Sequence, residues 1–241
     1  MGREPIFNVP GSVLAVLAVC AGVLGLAAIL PVEDADRFII SLAFIPARYS
    51  GGVDIPGGDL ASVTSFFTHI FTHAGLMHLV INGAWLLAFG SILSRRIGPW
   101  RFLAFFLAGG VAGALSFLAL NWGAAVPVVG ASGAIAALMG AVMRFLFVAL
   151  DSRQGYLLRE NPGAIPAMGL AETLTDRRIV ISTALFIAIN LLAMIGFGRM
   201  DSSAGGIAWE AHLGGYAFGL LAFGAFDVAT HNASPSAADV E

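Results

Sequence analysis

Long apolar runs separated by shorter polar stretches dominate the pattern of this chain. A helix needs roughly 17–25 mostly apolar residues to cross a hydrocarbon core of ~30 Å. Six stretches of about this length carry few or no charges, and each predicts a membrane-spanning helix. They are Gly11–Leu30, Leu76–Leu93, Phe102–Leu120, Ala131–Leu150, Ile179–Phe197 and Ile207–Phe226. We therefore expect an all-α membrane protein, a bundle of six transmembrane helices in one membrane domain over residues 11–226.

The connections between these spans differ in length and character. The first, from Pro31 to Gly75, is long and contains an apolar piece, Phe38–Pro46, which is too short to span. Such a piece suits an interfacial or re-entrant segment packed against the bundle. The loop Asp151–Arg178 has scattered charges and is expected to be solvated. Residues 1–10 and 227–241 are expected to form short cytoplasmic termini.

Composition supports a lipid environment. Hydrophobic residues make up 58% of the chain and charged residues only 11%. A soluble domain of this length needs more charge to cover its surface. The formal net charge of −3 gives no indication of a nucleic-acid partner. The single cysteine, Cys20, excludes an internal disulfide and a cysteine-based metal cluster, and neither a metal nor a cofactor is expected.

The distribution of arginine predicts how the bundle is oriented. Positively charged residues favour cytoplasmic loops. Arginines concentrate between the second and third spans and between the fourth and fifth. These connections, and with them both termini, are therefore expected to be cytoplasmic. Spans two, four and six then all run from the outside to the inside.

Four polar side chains inside the spans require an explanation, because polar groups are costly in a bilayer. His78 and Asn82 lie in span two, Ser132 in span four and His212 in span six, each near the start of its span. The topology therefore predicts that the four residues meet at one depth, in the outer half of the membrane. His78 and Asn82 are four residues apart, so they share one helix face.

Small residues favour a close approach of spans four and six. Ser132 begins a stripe of small residues that includes Gly140, and Gly215 and Gly219 form a GxxxG motif on span six. Small residues allow membrane helices to pack closely. We therefore expect His212 to come within hydrogen-bond reach of Ser132.

These side chains suit acyl-transfer chemistry. A serine is a poor nucleophile until a base removes its proton, and neutral histidine does this near neutral pH. Ser132 and His212 are therefore candidates for the nucleophile and the general base. The oxyanion that forms needs preorganised donors. The amide of Asn82, the ring N–H of His78 and the backbone N–H of Ser132 are the candidates.

Each residue taken alone has another interpretation. The GxSG motif Gly130–Gly133 also occurs by chance in a glycine-rich chain. A membrane serine often serves helix packing, and His212 with Glu210 would suit a proton or ion pathway. A transporter or channel, and a non-catalytic binder of membrane proteins, are therefore alternatives to an enzyme.

Three segments in combination resemble the signature motifs of rhomboid proteases, in order and each on its expected span. The segments are His78–Asn82, Gly130–Gly133 and Ala211–Gly215 followed by Gly219. The resemblance extends from about Phe66 to Phe226. Any one of the motifs is weak, but their combination is highly specific.

The resemblance implies a six-helix rhomboid core and an intramembrane serine endopeptidase of the bacterial inner membrane. Its nucleophile would be Ser132 and its base His212, a dyad without an acid, with His78 and Asn82 in the oxyanion hole. Gly130, Gly133, Gly215 and Gly219 would serve helix packing. Substrates would be single-span membrane proteins, cleaved near the outer face of the lipid bilayer. The fifth span and the loop around Phe197–Gly206 would gate the site.

The chain departs from the family pattern in two features. Many rhomboids carry a Trp-Arg pair in the first loop, where this chain has Thr64 and Ser65. Some members also place an aromatic residue four positions after the nucleophile, stacked on the base. Here that residue is Ala136, so another group must hold His212 in place.

Overall fold

The structure, a computed structural model, describes residues 9–51, 54–197 and 207–227, with only the backbone for 194–197. Within these ranges the regular secondary structure is helical, apart from an isolated β-bridge between Phe44 and Val128. The helices are α1 (Gly11–Ile29), α2 (Val32–Leu42), α3 (Gly58–Thr68), α4 (Leu76–Trp85), α5 (Ser91–Ile97), α6 (Pro99–Leu120), α7 (Ser132–Asp151), α8 (Leu157–Glu160), α9 (Leu170–Thr175), α10 (Arg177–Phe197) and α11 (Trp209–Phe226). The all-helical architecture expected from the sequence is confirmed over the described residues.

The long helices follow the predicted apolar runs. In the described part of the chain, 4 helical stretches are long and apolar enough to cross a membrane. They are α1, α6, α7 and the continuous helix Leu76–Ile97, in which a π-helical turn, Leu86–Gly90, joins α4 to α5. The fifth and sixth runs correspond to α10, with 21 residues, and α11, with 18 residues.

Helix α7 lies at the centre of the bundle. Of its apolar stretch 72% is buried, compared with 22% for α1. The backbones of α7 and α11 approach closely because glycines face the contact. A Cβ added at Gly215 would overlap the carbonyl oxygen of Gly133, and one added at Gly219 would overlap that of Ala137. The lack of side chains at these glycines therefore lets the backbones of α7 and α11 lie side by side.

The first connection is folded against the bundle. Its apolar piece, Phe38–Pro46, is divided between the end of α2 and a buried extended segment. Ala43, Phe44 and Ile45 are buried. Two backbone hydrogen bonds, of 2.8 and 3.0 Å, join Phe44 to Val128 in the loop before α7. The segment therefore fixes the loop that leads to Ser132.

Tyr49 and Arg48 make polar contacts within this connection, near the positions of the Trp-Arg pair. Thr64 is half-buried, and the hydroxyl of the buried Ser65 lies 3.4 Å from that of Tyr49. The hydroxyl of Tyr49 donates to the carbonyl oxygen of Ser62 at 2.7 Å, and Arg48 donates to a carbonyl oxygen of α2 at 2.5 Å. Partly buried backbone acceptors therefore join the segment around Tyr49 to α2 and α3.

The expectation that the loop Asp151–Arg178 is solvated is wrong for its middle part. Pro162 and Ile165 are buried, and Arg96 at the end of α5 donates to their carbonyl oxygens at 2.5 and 2.8 Å. Arg144 of α7 donates to another carbonyl oxygen of this loop at 2.6 Å. Buried guanidinium groups need acceptors, and the loop backbone provides them.

Three segments with predicted roles lie outside the described residues, in whole or in most of their length. They are the N-terminal segment 1–10, the C-terminal segment 227–241 and the expected gating loop Phe197–Gly206.

Candidate active site

Ser132 and His212 face each other at one end of the bundle. Ser132 is the first residue of α7, and His212 lies in the first turn of α11. The Oγ of Ser132 is 2.7 Å from the Nε2 of His212, a hydrogen-bond distance. The glycine contact between Gly133 and Gly215, next to both residues, permits this approach.

The other ring nitrogen of His212 has a partner that the sequence analysis missed. Its Nδ1 lies 2.7 Å from the Oδ1 of Asn190, on α10. Asn190 is buried, with 6% of its surface exposed. One signal was available, since an amide in the uncharged fifth span needs a polar partner. The sequence could not say which partner, because no motif connects Asn190 to His212.

His78 and Asn82 lie on α4 beside the loop that leads to Ser132. Gly130 in this loop has a φ of +119°, which favours glycine. A Cβ built there would lie 2.8 Å from Nε2 of His78 and 3.8 Å from Nδ2 of Asn82. The missing side chain therefore lets the loop backbone pass directly over these two polar groups.

The hydrogen bonds of His78 and Asn82 show which of their side-chain nitrogens act as donors. The backbone N–H of Ala74 donates to Nδ1 of His78 at 3.4 Å. In the neutral ring, Nε2 then carries the proton and points towards Gly130 as a donor. The amide nitrogen of Asn82 donates one hydrogen to the carbonyl oxygen of His78 at 2.9 Å. An amide nitrogen carries two hydrogens, so the second can serve an oxyanion.

Two further histidines support this arrangement. The backbone N–H of Gly130 donates to the carbonyl oxygen of His69 at 2.9 Å, which fixes the loop. The rings of His73 and His78 are 5.1 Å apart between centroids. Burial and the neighbouring His78 lower the pKa of His73 to about 4, so its ring is neutral at pH 7. Neither ring brings a charge to the site.

The start of α7 adds a third donor group. The first backbone N–H groups of a helix have no acceptor within the helix, and the helix dipole favours negative charge there. Ser132 occupies the first position of α7. A hydroxyl, an imidazole and several N–H donors are therefore present at one end of the bundle.

Glu210 points away from the Ser132–His212 pair. Its Oε1 accepts a hydrogen bond from the side-chain amide of Asn121 at 3.0 Å, at the end of α6. Among the residues that the structure describes, no group of three or more His, Cys, Asp or Glu side chains could hold a metal ion.

The sequence matches one family of known proteins. A family model described as the Rhomboid domain matches residues 60–226. A curated protein of Bacillus subtilis (strain 168), "Rhomboid protease GluP", is 32% identical over 155 residues. The matched region covers 64% of this chain and 24% of that protein, so this chain corresponds to a minor part of its relative. Ser132, His212, His78, Asn82 and Asn190 all fall within the range of the family model.

Proposed function

Since this chain belongs to the rhomboid family, we propose that it is an intramembrane serine endopeptidase in which Ser132 is the nucleophile and His212 the general base. The observation that carries the proposal is the 2.7 Å hydrogen bond between Ser132 Oγ and His212 Nε2. A serine in contact with a base is activated for attack on a carbonyl carbon.

The reaction proceeds in two halves. Oγ of Ser132 attacks the scissile carbonyl carbon while its proton moves to Nε2 of His212. His212 then gives this proton to the leaving amine, and an ester of Ser132 remains. In the second half His212 takes a proton from water, which attacks the ester, and Ser132 regains its hydrogen. The two halves together consume one water and release an acid and an amine.

Negative charge develops on the carbonyl oxygen in both halves. His78, Asn82 and the backbone N–H of Ser132 stabilise this oxyanion. The close approach of the Gly130 backbone to both side chains supports the assignment, because it brings these donors next to the nucleophile's loop. Donors fixed before the reaction need no reorganisation as the charge appears.

The substrates are single-span membrane proteins, cut near the outer face of the bilayer. Six spans cross the membrane, with the rhomboid core over residues 11–226 and both termini in the cytoplasm of a bacterial cell. In this orientation the starts of α4, α7 and α11 lie in the outer leaflet. The arginine-rich connections on the opposite side support it.

A covalent serine probe tests the activity without knowledge of the substrate. A fluorophosphonate should label the wild-type protein, and the label should disappear in Ser132→Ala and in His212→Ala. Ser116→Ala is the matched control, since this half-buried serine only donates to a carbonyl oxygen of its own helix, at 2.9 Å. Labelling that survives in Ser132→Ala would contradict the proposal, as would a wild-type protein that neither reacts nor cleaves any single-span protein in liposomes.

A further inference from the structure

Helix α10 contacts α11 through one face. The hydroxyls of Thr183 and Tyr216 are 2.9 Å apart, and the ring of Phe186 stacks on Tyr216 with 4.7 Å between centroids. Asn190 follows on the same face and reaches His212. Other positions of α10 are exposed, and they include Val180, Ile181, Leu185, Ile189 and Leu192. Asn190 is therefore the polar side chain through which α10 touches the Ser132–His212 pair.

A chain of hydrogen bonds determines which way the amide of Asn190 points. Its Nδ2 is 2.8 Å from the carbonyl oxygen of Phe186, which can only accept. The nitrogen must therefore face Phe186, and the amide oxygen faces His212. This oxygen also can only accept, so Nδ1 of His212 carries the hydrogen and donates.

The same logic extends to the nucleophile. A neutral imidazole with its hydrogen on Nδ1 has a lone pair on Nε2. The hydrogen bond of 2.7 Å between Nε2 and Ser132 is therefore donated by the serine hydroxyl. This is the arrangement that a general base needs, because the proton to be removed already points at the lone pair.

We propose that Asn190 is a positioning residue that sets the tautomer and the ring orientation of His212, and so completes a Ser132–His212–Asn190 triad. The inference rests on the proposed function for its consequence in catalysis. It also explains how the base is held although Ala136 offers no aromatic ring. A neutral amide suits a buried site, because an ionised carboxylate would lose its hydration.

The position of α10 then determines the tautomer and the ring orientation of His212. Asn190 stays bonded to Nδ1 when His212 is protonated, since the amide oxygen accepts equally from the imidazolium. A movement of α10 away from α11 removes this acceptor and leaves the ring free to rotate or to change tautomer. Base activation therefore requires that α10 is packed against α11.

The kinetic test compares two substitutions at the interface of α10 and α11, each of which removes one polar group. Asn190→Leu keeps the volume and removes the acceptor, whereas Tyr216→Phe removes a hydroxyl that joins α10 to α11 but does not touch His212. Asn190→Leu should lower kcat by roughly 10²- to 10³-fold with little change in KM, less than the ~10⁴ of a triad carboxylate. Tyr216→Phe should stay within about threefold of wild type. Asn190→Asp, which keeps an acceptor oxygen, should recover part of the kcat lost in Asn190→Leu.

A spectroscopic test is independent of turnover. The chain has 5 histidines, so ¹⁵N spectra of histidine-labelled protein can be assigned to His212 by difference with His212→Gln. The wild-type protein should show a protonated Nδ1, and Asn190→Leu should show a mixture of tautomers.

Three outcomes would overturn the inference: wild-type kcat in folded Asn190→Leu, an equal loss of kcat in Tyr216→Phe, or an unchanged His212 tautomer in Asn190→Leu. A wild-type protein that does not cleave would instead overturn the proposed function. The ¹⁵N spectra would still decide the tautomer in that case.

Discussion

At the scale of single residues, both hydrogen-bond partners of the His212 ring are uncharged groups. Its two ring nitrogens bond a hydroxyl and an amide. Glu210 is close in sequence, but residues two apart on a helix point about 200° from each other. The bond from Asn121 to Glu210 agrees with this geometry, because it draws the carboxylate towards α6. Neither hydrogen-bond partner of the His212 ring is therefore a carboxylate.

A first prediction follows for Glu210. Glu210→Gln keeps an acceptor oxygen for Asn121 and removes only the charge, so the initial cleavage rate should stay within roughly tenfold of wild type. A true triad carboxylate changed to its amide loses about 10⁴ in turnover. His212→Ala should abolish cleavage. Both variants should be assayed in liposomes at matched amounts of folded protein. A loss of thousands-fold in Glu210→Gln would show that the carboxylate acts on the base.

A second prediction concerns the oxyanion donors. His78→Ala and Asn82→Ala should each lower kcat by about 10²–10³, because these bonds strengthen as charge develops. KM should change little in comparison. Kinetics with a single-span substrate, together with thermal unfolding, distinguish stabilisation of the oxyanion from a structural role of the two side chains. If activity instead followed the folded fraction in each variant, the two residues would only pack the site.

At the scale of elements, the close contact of α7 and α11 determines the distance between Ser132 and His212. The contact is made by backbone atoms, since glycines on each helix face carbonyl oxygens of the other. Backbone contacts leave no side chain that could adjust its rotamer. Any added atom must therefore move one helix.

A third prediction follows from this contact. Gly215→Ala and Gly219→Ala should each displace α11 from α7, and a shift of about 1 Å in a catalytic pair costs roughly 10²-fold in rate. Gly22→Ala in α1 is the matched control, since a Cβ added there meets nothing within 4 Å. The control should keep full activity, because alanine favours a helix over glycine by about 1 kcal/mol. Equal cleavage rates in all three variants would show that the glycine contact does not position His212.

At the scale of the whole molecule, a buried ion pair connects the ends of α5 and α11 to the loop between α7 and α10. Arg96 and Asp227 are 2.8 Å apart, with 0% and 1% of their side chains exposed. The guanidinium also lies over the ring of Phe145, 4.3 Å from its centroid. Three separate parts of the chain therefore meet at one arginine.

A fourth prediction tests this role. Arg96→Met removes from the buried Asp227 carboxylate the guanidinium that binds both of its oxygens, so it should lower the free energy of unfolding, by up to about 3–5 kcal/mol. The double variant Arg96→Met, Asp227→Leu should recover part of this loss, since neither charge remains. Arg95→Met, at the neighbouring and more exposed position, is the control and should have a small effect. Thermal unfolding of the four proteins in detergent measures the differences, and equal stability of Arg96→Met and Arg95→Met would contradict the role.

A fifth prediction concerns the orientation of the whole bundle. A reporter fused at the C-terminus should be active in the cytoplasm, and one inserted in the loop Asn121–Pro127 should be active outside. Arginines are concentrated in the connections at the end of the bundle opposite this loop, and positively charged connections favour the cytoplasm. The opposite pattern would place the Ser132–His212 pair in the inner leaflet.

The sequence by itself determined the features that depend on position along the chain. The length of an apolar run indicates whether it can span a bilayer, and a helix covers each of the six runs to within a few residues, although only 4 of the described helices are long and apolar enough to cross. The order of three short motifs on alternate spans indicated the rhomboid family, and the match to the family model confirms it. Their spacing also singled out Ser132 and His212, because polar groups at the starts of parallel spans lie at one depth.

Only the tertiary structure decided which side chains meet across helices. Asn190 could not be assigned to His212 from the sequence, because α10 is apolar on most of its faces and its pattern does not indicate which face is inward. The burial of the loop after α7 was missed for a similar reason, since its acceptors are backbone carbonyls, which every residue has. In a bilayer, lipid and neighbouring helices are equally apolar, so the rotation of a helix is determined by packing and a few hydrogen bonds rather than by hydrophobicity.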